Sequence, residues 1–524
     1  MPPLSVTGFS EHSAFQAFQT SGIAQAHSIG YNAPEFIRLE VAMRRLLLLL
    51  ACYVAWNSAS GQTPAAQLSP FVKVNAPVVA LTHVRVIDGT GAPAHDDQTI
   101  VISGGKISSL TSAAAVNLPG NAQVLDLHDF SVIPGLVGMH DHLFYPTGGP
   151  IYGEMGFSFP RLYLAAGVTT VRTTGALDAY TDLAIKKQID AGKSPGPKIH
   201  VSGPYLEGEG TWALQMHELT GPDDAVRTVN YWLDEGVDNF KAYNFITSAE
   251  LSAAIVAAHK RHAKVTGHLC SIGFHEAAAL GIDDLEHGLL EDSEFFPWKK
   301  PGECPPEKPE SLDFLSKLDV QSGPVHDMIV DLVQRHVAIT STLPVFEMFV
   351  PGRPTIQQRV LDALSPDARN DFLENKVRSS DAARIRKRYG SDVSPWPAAF
   401  KKEMEFERAF VQAGGFLLAG EDPTGMGGVI AGFGDQREVE LLVEAGFTPL
   451  EAIHIATANG ATYLGEADHI GTVEAGKQAD LVVIQGDPSR NIADIENVEI
   501  VFKDGVGYDS AKLIDSVRGV VGTQ

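Results

Sequence analysis

The sequence predicts a (β/α)8 TIM barrel, an α/β fold, joined to a small β-sandwich that both chain ends build. From residue 131 onward, short apolar segments rich in β-branched residues alternate with stretches of helical periodicity. Such alternation is typical of βαβ units in a parallel sheet, and eight such strands close a barrel. The flanking regions alternate apolar and polar residues, as antiparallel strands do. A chain of 524 residues has room for one large domain and a smaller one.

The N-terminus differs in composition from the rest of the chain. We interpret residues 1–42, which lack clear periodicity, as a disordered upstream extension. Residues 43–61 begin "MRRLLLLLACYVAW", in which two arginines precede a short apolar run. This pattern is typical of a secretory signal peptide and is too short for a membrane span. We expect an exported protein, periplasmic or secreted; the alternatives are a buried apolar helix and a lipoprotein anchored at Cys52.

The remaining chain divides into three parts. Residues 76–133 and 470–515 predict the two halves of the β-sandwich, with Gly-rich turns in both. Residues 134–469 predict the barrel. Its eight strands are expected in "SVIPGLVGMH", "GVTTVRTTG", "KIHVSG", "VDNFKAYN", "AKVTGHL", "IDDLEHG", "HVAITSTL" and "GGFLLAGED".

Two insertions interrupt the barrel pattern. Phe295–Glu310 is rich in proline and charge, which predicts a surface loop. Val350–Pro397 carries charged residues in helical spacing, which predicts an added helical hairpin over the barrel mouth; a solvated decoration without catalytic meaning is the alternative.

Charge limits the range of partners. The net charge is −24 at pH 7, whereas nucleic acids and anionic membranes are bound through basic surfaces. We therefore expect a small-molecule substrate, no nucleic acid and no stable membrane span once the signal peptide is removed. The sequence is also compatible with a homo-oligomer.

The segment "GMHDHL" places His140 and His142 one residue apart. Alternate residues of a strand share one face, so the two imidazoles would point the same way. Half of a metal site could be built in this manner, but a lone H-x-H also occurs by chance in a chain with 18 histidines.

The other predicted strand ends supply the missing ligands. The fourth strand carries Lys241, the fifth and sixth end at His268 and His287, and the eighth ends at Asp422. A barrel brings the carboxyl ends of its strands together, so we expect these side chains to converge. Imidazoles and a carboxylate suit two divalent ions, with zinc the first choice. Lys241 could join them as N6-carboxylysine, a carbamate that bridges both ions; each residue alone would more often be structural.

These segments resemble the amidohydrolase superfamily, in its imidazolonepropionase-like and Xaa-Pro dipeptidase-like branch. The resemblance covers roughly residues 76–510 and rests on "PGLVGMHDH", "LAAGVTTVRTTG", "FKAY", "GHL", "EHG", "GED" and "FTPLEAIHIATANGATYLG". It implies His140 and His142 on the first metal, carboxylated Lys241 as the bridge, and His268 and His287 on the second. Asp422 would be a ligand and proton shuttle. Glu421 departs from the family, whose members often carry Thr or Ser there.

We therefore expect a metal-dependent hydrolase of carbon–nitrogen bonds that uses a metal-bridging hydroxide. Dipeptides, N-acyl amino acids and cyclic amides are the expected substrates. The alternatives are a mononuclear deaminase of the same barrel, a lactonase or esterase on the same site, and an inactive binding relative.

Three further residues are candidates for substrate binding. Tyr243 lies two residues beyond Lys241, His217 follows the third strand, and Arg172 is expected after the second. Alternatively, Tyr243 packs in the barrel and Arg172 forms a structural ion pair.

Cys270 and Cys304 would lie on the loops after the fifth and sixth strands. An exported protein could join them in a disulfide; two independent thiols are the alternative.

Overall fold

A computed structural model describes residues 67–115, 118–148, 151–211 and 213–523. These residues belong to one compact unit that spans Gly61–Gln524. The predicted upstream extension, the signal peptide and Cys52 lie outside the described residues.

Both chain ends contribute to one nine-stranded sheet. Its strands are β1 Val72–Val74, β2 Val78–Val86, β3 His95–Ser103, β4 Lys106–Ser112, β5 Gln123–Asp126, β6 Phe130–Pro134, β17 Leu481–Gln485, β18 Val498–Lys503 and β19 Val506–Asp509. Eight of them follow the order β1-β19-β18-β17-β6-β2-β3-β4, and β5 pairs with β2. A sandwich of two sheets was predicted; the ends form a single sheet because β17 pairs directly with β6.

The two faces of this sheet pack into different cores. Along β17, Leu481 and Val483 belong to a cluster enclosed by the sheet itself, while Val482 and Ile484 belong to the main core. Alternate side chains of a strand point to opposite faces, so one strand serves both cores.

Eight parallel strands form the barrel. They are β7 Leu136–Asp141, β10 Val168–Thr173, β11 Lys198–His200, β12 Asn239–Ala242, β13 Lys264–Gly267, β14 Asp284–Glu286, β15 Ala338–Ser341 and β16 Leu417–Ala419. The first three pair in one sheet and the other five in a second. Parallel bridges from Ser202 to Asn239 and from Leu206 to Ala242 join the sheets. The amide of Asp422 donates to the carbonyl of His140 (3.0 Å), which links the last strand segment to the first.

Helices and one hairpin complete the unit. The hairpin pairs β8 Phe144–Gly148 with β9 Ile151–Glu154. The helices are α1 Phe159–Ala165, α2 Ala179–Asp190, α3 Pro222–Glu235, α4 Ser248–His259, α5 Phe274–Leu280, α6 Ser311–Ser316, α7 Gly323–Arg335, α8 Leu343–Glu347, α9 Gln358–Ala363, α10 Pro366–Ser379, α11 Ala382–Tyr389, α12 Trp396–Gln412, α13 Phe433–Glu444, α14 Pro449–His454, α15 Gly460–Tyr463 and α16 Ser510–Asp515.

Two predictions about elements need correction. The predicted first barrel strand is two strands, because the chain leaves the nine-stranded sheet after β6 and enters the barrel as β7. The insertion Val350–Pro397 was predicted to be a helical hairpin, but it holds three helices, α9 to α11, before α12 begins at Trp396.

Candidate metal and substrate site

The six predicted ligands lie at the carboxyl ends of barrel strands, in or within three residues of β7, β12, β13, β14 and β16. They are His140, His142, Lys241, His268, His287 and Asp422. All but His268, which is half-buried, are buried.

Three of the six predicted ligands lie close enough together to hold one ion. The ligand atoms of His140, His287 and Asp422 all lie within 4.8 Å of one another. Carboxylate oxygens of Asp422 lie 3.6 Å from Nε2 of His140 and 3.8 Å from Nε2 of His287. His142 joins them from the other side, with its Nε2 3.6 Å from Oδ1 of Asp422. Asp422 is therefore the common neighbour of three imidazoles.

Lys241 lies beside this group. Its Nζ is 2.9 Å from Nε2 of His140, and the side chain is buried. Burial lowers the pKa of Lys241, although Glu286 and Asp422 oppose that effect. A lowered pKa favours the neutral amine, which is the form that reacts with carbon dioxide.

His268 is the least convergent of the six. Its ring centre is 4.6 Å from that of His287, but its Nε2 lies 3.1 Å from Oε2 of Glu291. It is not part of the three-residue group that shares one point.

The donor chemistry fits divalent metal ions. Burial lowers the pKa of His140, His142 and His287, which favours the neutral imidazoles that ligate metals. Nε2 of His287 is buried and has no hydrogen-bond partner among the described residues. An unpaired buried nitrogen that faces a carboxylate is costly unless something else occupies the space between them. Nitrogen and oxygen donors at these positions are those that zinc prefers.

Two of the ligands have unusual backbone conformations. His287 has φ of +71° and Asp422 has φ of +50°, both in the left-handed region. Such a conformation is uncommon outside glycine and costs free energy, so it persists where surrounding structure enforces it. Here it accompanies the turn that directs each side chain into the site.

Glu286 contacts the site and was not among the residues predicted from the sequence. Its Oε2 lies 2.7 Å from Nδ1 of His140, and its Oε1 accepts from Arg172 (3.0 Å) and from Thr266. A carboxylate on Nδ1 fixes the imidazole tautomer and leaves Nε2 free for a metal. Its position immediately before the predicted ligand His287 is the feature of the sequence that could have identified it as a residue of the site.

Arg172 is buried away from the residues that line the site cavity, which corrects the prediction that it contacts substrate. Its side chain donates to Asp284 (2.8 Å), Glu286 (3.0 Å) and the carbonyl of Met139 (2.7 Å). Burial alone would lower the pKa of Arg172, but Glu286 and Asp284 outweigh it and raise that pKa. The arginine thus supports the carboxylate that orients His140.

A cavity of about 210 Å³ opens over the ligands. Tyr243 lines it, as predicted, together with Tyr205 and Glu291. His217 does not line it, which corrects another prediction: that side chain is 57% exposed and pairs with Asp224 (3.2 Å), while its neighbour Met216 faces the cavity. The two neighbours in this loop therefore point in different directions, Met216 into the cavity and His217 toward solvent.

A second buried group contains only acids. Single carboxylate oxygens of Asp141, Glu421 and Asp435 lie within 4.8 Å of one another. Burial raises the pKa of Asp141 and that of Glu421, and the nearby charge of Asp435 raises both further. None of the three lines the cavity. Glu421, the residue that departs from the resembled family, is therefore part of the packing behind Asp422.

The structure joins Cys270 and Cys304 in a disulfide, with 4.8 Å between their Cα atoms. The bond connects the Pro-rich loop, Phe295–Glu310, to Cys270, which lies two residues after His268. Of the two alternatives from the sequence, the bridge is the one observed.

Comparisons with known proteins agree with this geometry. The amidohydrolase family model matches residues 401–506. A candidate prolidase from Bifidobacterium longum is 25% identical, with a TM-score of 0.59 over 84% of this chain and 99% of that one. The chain is therefore similar to amidohydrolases both in the sequence of this segment and in its fold.

Two other solved structures share the fold of this chain. A Xaa-Pro dipeptidase with methionine bound in its active site is 21% identical, with a TM-score of 0.60 over 82% of this chain and 100% of that one. Bottromycin amidohydrolase is 19% identical, with a TM-score of 0.62 over 87% of this chain and 94% of that one. No curated protein matches the chain significantly.

The family match indicates an enzyme of the class that hydrolyses carbon–nitrogen bonds. Among the residues that the structure describes, no helix is long and apolar enough to cross a membrane.

Proposed function

We propose that this protein is an amidohydrolase that holds two divalent ions and cleaves the amide bond of a small substrate, such as a dipeptide, an N-acyl amino acid or a cyclic amide. One observation carries the proposal. The ligand atoms of His140, His287 and Asp422 converge within 4.8 Å, next to the buried amine of Lys241 and under a cavity of substrate size.

The ligand residues would divide between the two ions. His140, His142 and Asp422 would hold the first, and His268 and His287 the second. Lys241 would bridge them as N6-carboxylysine: its neutral amine adds to carbon dioxide and releases one proton. Zinc is the metal that these donors favour.

Bound ions of this kind lower the pKa of a coordinated water and polarise a carbonyl oxygen. The chain itself supplies the proton transfer. Burial raises the pKa of Asp422, while Lys241 and the hydroxyl of Thr424, 2.7 Å from Oδ1, lower it. We assign Asp422 to take a proton from the attacking water and deliver it to the leaving nitrogen. Tyr243 lines the cavity and would contact the substrate.

The second candidate is a deaminase that uses one ion. The group His140, His287 and Asp422 is by itself sufficient for a single ion. Such a site has no ligand role for Lys241, whose burial next to His140 would then be unexplained.

The test is a hydrolysis screen with zinc-loaded protein and a library of dipeptides, N-acyl amino acids and cyclic amides. We expect turnover of at least one class. Asp422→Asn should keep most of the metal, since the imidazoles remain, but lose turnover by about 100-fold or more. No hydrolysis by metal-loaded wild type, or near-normal rates in the variant, would contradict the proposal.

We also propose that the enzyme is exported, to the periplasm or the medium. The signal-like segment at residues 43–61 is the first support. The Cys270–Cys304 disulfide is the second, because such bonds persist in oxidising compartments. Fractionation of cells that express the full chain tests this, and an exclusively cytosolic, uncleaved product would contradict it.

A further inference from the structure

Charge is distributed unevenly among the cavity walls. Apolar and aromatic side chains dominate, with Phe144, Phe346 and Phe349 among them. Apart from the ligand Asp422, Glu291 is the acid that lines the cavity in the part of the chain that the structure describes.

The same cavity walls lack a free cationic side chain that could bind a substrate carboxylate, among the residues that the structure describes. Among the described lining residues, Lys241 is the sole lysine and no arginine is present. Lys241 is buried against His140, and Arg172 is held by Asp284 and Glu286. A free carboxylate would therefore enter the cavity without a guanidinium or ammonium partner, at a cost in desolvation.

Glu291 is positioned to receive a cation. It follows the short helical turn Gly288–Leu290 after β14, and its side chain keeps 31% exposure. One oxygen, Oε2, lies 3.1 Å from Nε2 of His268. A carboxylate has two oxygens and about four acceptor sites, so the histidine leaves capacity for a second donor.

We infer that Glu291 binds a protonated amino group of the substrate. The preferred substrate would then be an amide with a free amine and no carboxylate, such as an aminoacyl amide, rather than an N-acyl amino acid or an uncharged cyclic amide. Ammonium–carboxylate hydrogen bonds are among the stronger ones in proteins, particularly where apolar walls exclude water. This inference rests on the proposed function and narrows its substrate class.

The experiment uses three compounds with the same scissile bond, built on the best amide from the hydrolysis screen. For an alanine–pyrrolidine bond they are L-alanine pyrrolidide, its N-acetyl derivative and L-alanyl-L-proline. The first compound carries a protonated amine and no carboxylate, and the second carries neither group. The third carries both the amine and a carboxylate. We expect kcat/KM to be highest for the first and at least about tenfold lower for the N-acetyl compound.

Glu291→Gln tests the residue itself. It keeps the side-chain shape, and we expect the preference for the free amine over the N-acetyl compound to fall to about twofold or less. Glu294→Gln is the matched control, because Glu294 pairs with His275 outside the cavity. That control should keep the wild-type preference.

The contradicting outcomes are distinct. Equal rates for the free and acetylated amines, or an unchanged preference in Glu291→Gln, would overturn the inference while leaving the hydrolase proposal intact. Loss of bound zinc from Glu291→Gln, measured by elemental mass spectrometry, would also overturn it, since Glu291 would then serve to position His268 or hold the metal. If the screen finds no hydrolysed amide, both proposals fail.

Discussion

At the scale of single residues, the site depends on a buried layer of hydrogen bonds beneath the ligands. Glu286 accepts from Arg172 and faces Nδ1 of His140, and Thr342 lies 2.7 Å from Nδ1 of His287. Each contact uses one ring nitrogen and leaves the other for the metal. The ligands are thereby oriented before any ion arrives.

Glu286→Gln should weaken metal binding by about 10- to 100-fold, because glutamine has one acceptor oxygen, so its NH2 group would face either Arg172 or His140. Metal titration into stripped protein measures the change. Glu250→Gln is the control, since Glu250 is a buried glutamate in the capping box of α4, where glutamine is also suitable. Equal affinities in Glu286→Gln and wild type would contradict the role assigned to Glu286.

The position of a residue could be predicted where it follows directly from a strand end. It could not be predicted where it depends on how deep the residue lies in the barrel or on the course of a loop. Tyr243 lies in the cavity because it follows the end of β12 closely. Arg172 also lies on a barrel strand, but sequence alone does not say how deep within the barrel a side chain sits. His217 failed because a loop of irregular backbone, unlike a strand, has no fixed period.

At the scale of elements, periodicity predicted helices well. The helical periodicity between the predicted barrel strands corresponds to helices such as α3, Pro222–Glu235, and α12, Trp396–Gln412. The break between β6 and β7 was missed because both strands are apolar. Gly135 marks it: its amide donates to Asp480 (2.9 Å), and a Cβ there would lie 2.0 Å from Oγ1 of Thr169.

The disulfide closes a loop with a sequence separation of 34 residues. Loop-closure entropy predicts that removing it costs about 3–4 kcal/mol. The double variant Cys270→Ser/Cys304→Ser should therefore unfold at lower denaturant concentration than wild type, and wild type with reductant should match it. Unchanged unfolding in both cases would show that the bridge does not restrain the loop.

At the scale of the whole molecule, both chain ends meet in one sheet against the barrel. The alternation of residues predicted antiparallel strands at each end but not their partners, because pairing between β6 and β17 spans most of the chain. Register over such a distance is set by tertiary packing.

The molecule also buries several acids that α12 and α13 carry. Glu403, Glu407 and Glu438 are fully buried, and burial raises the pKa of Glu407 to about 8. Between about pH 5 and about pH 8 the unfolded chain loses this proton while the folded chain keeps it, so stability falls as pH rises. Glu407→Gln should remove the contribution of Glu407 to this dependence and stabilise the protein by a few kcal/mol near pH 8, with a much smaller effect near pH 5.

Thermal unfolding of metal-free protein at the two pH values measures this effect. Glu405→Gln is the control, because Glu405 is a more exposed acid on the same helix. A stability difference between Glu407→Gln and wild type that is the same at both pH values would contradict the assignment.

The most direct measurement is the metal content per chain, by elemental mass spectrometry, of protein supplied with zinc and bicarbonate. We expect about two ions per chain in wild type, a clear loss in Lys241→Ala, and no loss in Lys264→Ala, whose lysine lies at the opposite end of the adjacent strand. About one ion per chain, unaffected by Lys241→Ala, would contradict the two-metal site and favour the single-ion deaminase.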